Sequence, residues 1–198
     1  MRRMGLNQTI FTWIHAGAGN RPLADALAIF FAEAGPYLLA VCLVILWFRV
    51  ERDKRILLIE AAETGVIGLA FNQLAGFFYY HPRPFMMGLC TPLLTHVPEN
   101  SFPSDHATLM FGAALYLLLN RGAVYGVPLL AAAFLTAWGR VYAGLHFPFD
   151  MAGSFLIALA TAGLMLRLSR KSRIISKLNF RLNRGIELII GRFTHNLG

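Results

Sequence analysis

Five stretches of this chain are apolar for long enough to cross, or nearly cross, a lipid bilayer. They run from Leu23 to Phe48, Ile56 to Tyr80, His106 to Leu119, Val124 to Tyr142 and Phe149 to Leu168. A spanning helix needs about 20 predominantly apolar residues, within a range of roughly 17–25. Gly35-Pro36 interrupts the first stretch and is expected to kink it. The third is short, so it must begin inside the preceding loop or sit where the bilayer is thinned. Composition agrees: 57% of the 198 residues are hydrophobic and only 14% are charged, against about 25% charged in soluble domains. A water-soluble fold is excluded, and so is intrinsic disorder, which needs low hydrophobicity and high charge. Cys42 lies in an apolar run and Cys90 in a loop, which gives no basis for a disulfide framework.

The two ends read differently from the middle. Residues 4–18 are too short and too polar to span, and they lack the sustained apolar centre of a cleaved signal peptide. Ile10, Phe11, Trp13 and Ile14 suit an interfacial amphipathic helix instead. Residues 172–193 mix Ile, Leu and Phe with Lys and Arg, which predicts a basic amphipathic helix on an anionic inner leaflet. The expected fold class is therefore all-α: a polytopic transmembrane helix bundle of about five spans, with interfacial amphipathic helices at both termini. The expected organisation is an interfacial helix over residues 1–20, a transmembrane domain over 21–168 and a basic amphipathic cytoplasmic tail over 169–198.

The formal net charge of +8 raises the question of nucleic acid. Placement answers it. Four basic residues lie between Arg49 and Arg55, and eight more fall at or after Arg167. Basic clusters at the ends of apolar runs follow the positive-inside rule, so the expected partner is the bilayer and not nucleic acid. With the Arg49–Arg55 loop, Arg121 and the tail inside, 13 of the 18 Lys and Arg residues are cytoplasmic. Residues 80–105 and 143–148 then face outward. Five spans leave Arg2 and Arg3 on the outer side, against the rule.

Ionisable groups inside spans are costly and are functional candidates by default. Asp25, Glu33, Glu60 and Glu63 stand near helix ends, where snorkelling or one interhelical hydrogen bond accounts for them. His15, His96 and His195 lie in polar contexts and are expected to face water. The outer ends of the second to fifth spans are different. His81-Pro82-Arg83-Pro84 follows the second, Ser101-Phe102-Pro103-Ser104-Asp105-His106 opens the third, and Arg140, His146 and Asp150 lie between the fourth and fifth. In the orientation above, all of them reach one membrane face.

Two guanidiniums match the oxygens of a phosphate. Ser104 and the amides opening the third helix add donors and a favourable dipole. His146 and Asp150 are four residues apart, on one face if the fifth helix has begun there. A carboxylate on one imidazole nitrogen fixes the tautomer and leaves the other nitrogen free to attack. His106 stands where it can protonate a leaving group. This set describes phosphoryl transfer through a covalent phosphohistidine. One rival is a metal site built from the two His and two Asp, which the neighbouring arginines would repel. Another is simple helix capping by Ser104 or Asp105 with arginines at the headgroups. The reading calls for no metal and no cofactor.

The pieces PRP (82–84), PSDH (103–106) and R-x5-H-x3-D (140–150) resemble the three-part signature of the type 2 phosphatidic acid phosphatase superfamily, which includes membrane lipid phosphatases and vanadium haloperoxidases. The likeness covers roughly residues 72–154. The family often has a lysine where Gly76 stands, a glycine where Asp105 stands and a serine where Gly139 stands. YYHPRPF, SFPSDH and GLHFPFDMAGS together resemble the bacterial undecaprenyl-diphosphatases linked to bacitracin resistance, which share PSDH and lack the lysine. The resemblance implies that Arg83, Ser104 and Arg140 hold the phosphate, that His106 is general acid and His146 nucleophile, and that Asp150 orients His146. Asp105 is an accessory candidate near the distal phosphate or its water. The implied substrate is an isoprenoid diphosphate lipid, hydrolysed to the monophosphate at the outer face of a bacterial inner membrane. The alternatives are a phosphatidate or phosphatidylglycerophosphate phosphatase, a lipid phosphotransferase, or a non-catalytic transporter or scaffold. A transporter would place polar groups near the midplane, which this sequence does not do.

Overall fold

The computed structural model describes residues 4–120 and 122–195, and side chains within them through residue 190. Seven α-helices account for most of it: α1 Leu6–His15, α2 Pro22–Arg49, α3 Arg55–Phe78, α4 Asp105–Leu119, α5 Ala123–Tyr142, α6 Pro148–Lys171 and α7 Arg173–His195. Helices α2, α3, α5 and α6 are long and apolar enough to cross a membrane. The apolar stretches read from the sequence thus form helices whose ends fall within a few residues of the expected ones. Pro36 lies inside α2, which is continuous from Pro22 to Arg49.

The short α4 sits at the centre of the bundle, packed against α3, α5 and α6. Ten of its fifteen residues are buried, on every side of the helix, as expected of a core helix that is apolar all round. Its rise of about 22 Å falls short of the roughly 30 Å hydrocarbon layer. The loop before it enters the bundle, where Ser101 and Ser104 are fully buried.

Glycines let the central helices approach. A Cβ on Gly112 of α4 would stand 3.1 Å from the Gly65 Cα of α3. On Gly139 of α5 it would stand 2.6 Å from the Ala28 carbonyl oxygen of α2. The serine common in the family at this second position has no room here, because α2 backbone lies directly against it.

The terminal helices are tied to the bundle. Phe11 of α1 is fully buried and meets Phe147 edge-on, while Trp13 is exposed. Asn7 Oδ1 accepts the Phe149 amide at the start of α6. His15 does not simply face water: its Nδ1 lies 2.7 Å from the Tyr142 carbonyl oxygen. At the opposite end, Asn179 of α7 donates to both Glu60 and Glu63 of α3, and Tyr116 also donates to Glu60. Asp25 accepts from the Tyr142 hydroxyl at 3.0 Å. The membrane carboxylates Asp25, Glu60 and Glu63 therefore hold helices together. Arg121 lies outside the described residues, as does the side chain of His195.

Gly139→Ala should push α2 from α5 and cost about 1–3 kcal/mol through overpacking. Thermal unfolding of the detergent-solubilised protein checks this. An unchanged midpoint would show that α2 yields without penalty.

Candidate active site

One end of the bundle gathers the C-terminal end of α3, the 79–104 loop, the N-termini of α4 and α6 and the C-terminus of α5. A cavity of about 490 Å³ opens there, lined by Arg83, His106, Arg140 and His146 among others. The sequence signature, scattered over 68 positions, thus forms one site.

His146 lies in the short α5–α6 connection. Gly144 turns that connection with a φ of 82°, a left-handed conformation that glycine adopts without steric cost. The imidazole is 1% exposed. Its Nε2 lies 3.1 Å from Arg83 Nη1 and 3.2 Å from Arg140 Nη2. Guanidinium nitrogens only donate, so Nε2 presents its lone pair to both arginines. The ring proton then sits on Nδ1, which donates to the Ser101 carbonyl at 2.8 Å. Asp150 Oδ2 is 3.6 Å from the same nitrogen. Asp150 itself accepts the Ser101 hydroxyl at 2.5 Å and the Phe147 amide at 2.7 Å, and its other oxygen meets His81 Nδ1 at 3.0 Å.

Arg83 and Arg140 are each 4% exposed. Arg83 is held by the Leu145 carbonyl at 3.0 Å and by Glu99 at 3.0 Å. Arg140 donates to the Ala32 carbonyl and lies 3.3 Å from His96 Nε2. Among the described residues, seven buried side-chain polar atoms have no hydrogen-bond partner, and three of them belong to this group: Arg83 Nε, Ser104 Oγ and Arg140 Nε. Ser104 is the residue before α4 but makes no side-chain capping bond. Its amide is held by Ser154 Oγ at 2.9 Å, which leaves its hydroxyl unengaged.

His106 occupies the first turn of α4 and lines the cavity beside Asp105. Asp105 accepts from Asn72 of α3 at 2.8 Å, and Asn72 in turn accepts from Thr108. A carboxylate here therefore ties α4 to α3. At Gly76, where the family often has lysine, a Cβ would come within 3.1 Å of Asn100 Nδ2. Asn100 joins the end of α3 to the loop by donating to the Tyr79 carbonyl and accepting the His81 amide.

Sequence reasoning missed His96, Glu99, Ser101 and Ser154. His96 was expected in water, yet it lines the cavity against Arg140. Burial lowers its pKa, and so do Arg83 and Arg140. Burial also lowers the Arg83 guanidinium, while Glu99 and Asp150 oppose that shift. Cys90 donates weakly to the Gly144 carbonyl, and burial raises its thiol to about 11.

Buried guanidiniums aimed at a neutral imidazole, in the mouth of a membrane-crossing bundle, define a membrane-embedded phosphatase. The chain belongs to the PAP2 superfamily, whose family model matches residues 56–174. It is similar to the undecaprenyl-diphosphatase BcrC of Bacillus subtilis (strain 168), with 31% identity over 189 residues and 96% of each chain covered. It is also similar to YbjG of Escherichia coli (strain K12), with 34% identity over 154 residues, 78% of each chain. Among solved structures, LpxE of Aquifex aeolicus superposes with a TM-score of 0.65 at 27% identity, covering 84% of this chain and 98% of that one.

Burial, first of all, pushes the His146 pKa from 6.5 down to about 3, and the two arginines add to it while Asp150 opposes. The folded ring therefore stays neutral through the range in which an unfolded histidine takes up a proton. Its contribution to stability is complete above about pH 6.5 and is lost as pH falls toward 3. In a histidine-labelled sample, the His146 ring signals should not titrate between pH 5 and 8. A midpoint near 6.5 would contradict the buried, arginine-facing geometry.

Proposed function

We propose that this protein hydrolyses undecaprenyl diphosphate to undecaprenyl phosphate and inorganic phosphate through a phosphohistidine on His146. The observation that carries this reading is the pair of buried guanidiniums, on Arg83 and Arg140, that both meet the lone pair of His146 Nε2 and each keep a buried Nε without a partner. An anion with several oxygens suits two such donor forks at once, and the unengaged Ser104 hydroxyl at the head of α4 is a candidate third donor.

The chemistry follows in two steps. The Nε2 lone pair attacks the terminal phosphorus, and the bond from that phosphorus to the bridging oxygen breaks. His106 gives a proton to the departing lipid monophosphate. It then takes one from water, which attacks the phosphohistidine, releases phosphate and restores His146. Arg83 and Arg140 hold the charge on the transferring group through both steps, and Ser104 supplies a third donor. Asp105 is an accessory group on the rim of the same cavity.

The diphosphate lipid is supported by the relatives' names and by the subgroup motifs, and the site's position suits a lipid-borne substrate. Phe77, at the end of α3, lines the cavity and is 84% exposed. Phe78, Tyr79 and Tyr80 follow it, all exposed, as an aromatic belt at the membrane interface would be. The charge asymmetry supports a site facing outward from the bacterial inner membrane, with the basic residues 49–55 and the tail at the cytoplasmic end. The domain reading proposed alongside it makes residues 21–168 the phosphatase, with the interfacial helix before it and the basic tail after it.

Purified protein assayed against a panel of lipid monophosphates and diphosphates tests the assignment. Polyprenyl diphosphate should exceed phosphatidate and phosphatidylglycerophosphate in kcat/KM. Turnover should persist in EDTA, since the arginines neutralise the phosphoryl charge. His146→Ala should lower turnover by about a thousandfold or more, as loss of a nucleophile does. Preference for a monophosphate would overturn the substrate, and loss in EDTA restored by one metal would overturn the mechanism.

A further inference from the structure

Asp150 is buried in the first turn of α6 with both carboxylate oxygens engaged, and His146 is not among its hydrogen-bond donors. The 3.6 Å between Asp150 Oδ2 and His146 Nδ1 is beyond a hydrogen bond. What lies between them is Ser101, which is fully buried. Each polar group of this residue serves the site. Its amide donates to the His81 carbonyl at 2.7 Å. Its hydroxyl donates to Asp150 at 2.5 Å, and its carbonyl accepts from His146 Nδ1 at 2.8 Å.

A hydroxyl has one proton and two lone pairs. The carboxylate, which carries no proton, takes the one on Ser101 Oγ, and a lone pair of that oxygen is left 3.4 Å from His146 Nδ1. We propose that Ser101 is a positioning residue through which Asp150 acts on His146, its hydroxyl linking the carboxylate to the imidazole whose proton its own carbonyl holds. His81 clamps the far oxygen of Asp150, its ring 4.9 Å from that of Phe147. When the phosphoryl group bonds to Nε2, the ring becomes cationic. The Asp150 charge then stabilises it across Ser101, in a site where burial makes such charge interactions strong. The signal in the sequence was faint: a serine three residues before another serine, with nothing to show that its carbonyl and hydroxyl both turn inward.

This inference rests on His146 being the nucleophile, so His146→Ala is measured in parallel on the full-length protein in detergent. Ser101→Ala should lower kcat by about 10- to 100-fold, the loss usual when a group orienting a histidine from behind is removed. KM and inhibition by inorganic phosphate should stay within about twofold, because the arginine cradle is untouched. Ser101→Cys, which keeps a weak donor, should recover part of the kcat. In an Asp150→Asn background, Ser101→Ala should cost nothing further, since the two act as one unit. An unchanged kcat in Ser101→Ala, losses that multiply in the double variant, or a fall shared by phosphate inhibition would each overturn the role of Ser101 and leave the nucleophile standing. An active His146→Ala protein would instead defeat the nucleophile assignment itself.

Discussion

Two buried guanidiniums, on Arg83 and Arg140, both lie within hydrogen-bond distance of a single nitrogen, His146 Nε2. Removing even one such cation from water costs several kcal/mol unless it is paired. Glu99 at the rim takes one nitrogen of Arg83, and backbone carbonyls take others. Asp150 is engaged elsewhere. The inner part of the site is therefore rich in donors and short of negative charge, and burial, helped by the same field, keeps His146 neutral with its lone pair exposed to the arginines. Electrostatics that would be a liability in an ordinary core are what the proposed binding of an anion and attack by His146 would use.

The fold exists to hold that arrangement at one depth. Because α4 is short and buried on all sides, the loop before it must enter the bundle, carrying Ser101 and Ser104 with it. Glycine contacts at Gly65–Gly112 and at Gly139 bring α3, α4, α2 and α5 close. Gly139 immediately precedes Arg140, so the close approach of α2 also fixes where that guanidinium begins and brings the Ala32 carbonyl within its reach. At the other face, Asn7 of α1 holds the opening turn of α6 from which Asp150 projects. Helices that seem peripheral thus bear directly on the site.

Apolar length made the spans legible in the sequence, since burial in lipid leaves no other economical reading of 20 apolar residues. The signature residues were legible because their side-chain types suit a phosphate, and the spacing of motifs relative to the apolar stretches put them at one end of the bundle. Other parts were not. His15 and His96 are unremarkable by sequence, and their partners Tyr142 and Arg140 lie far along the chain. Ser101 works through its backbone carbonyl as much as its hydroxyl, and no residue pattern encodes where a carbonyl points. The departures at Gly76 and Gly139 look like losses from a motif until neighbouring Asn100 and the α2 backbone are seen to occupy the space.

The central claim is that phosphorus bonds to His146 Nε2 during turnover. Mixing the protein with polyprenyl diphosphate labelled in its terminal phosphate, quenching rapidly into base and mapping the labelled peptide tests it directly. The account predicts label on His146, formed at least as fast as turnover and lost in His146→Ala. Turnover with no labelled protein at any time, or label carried by His106, would contradict it.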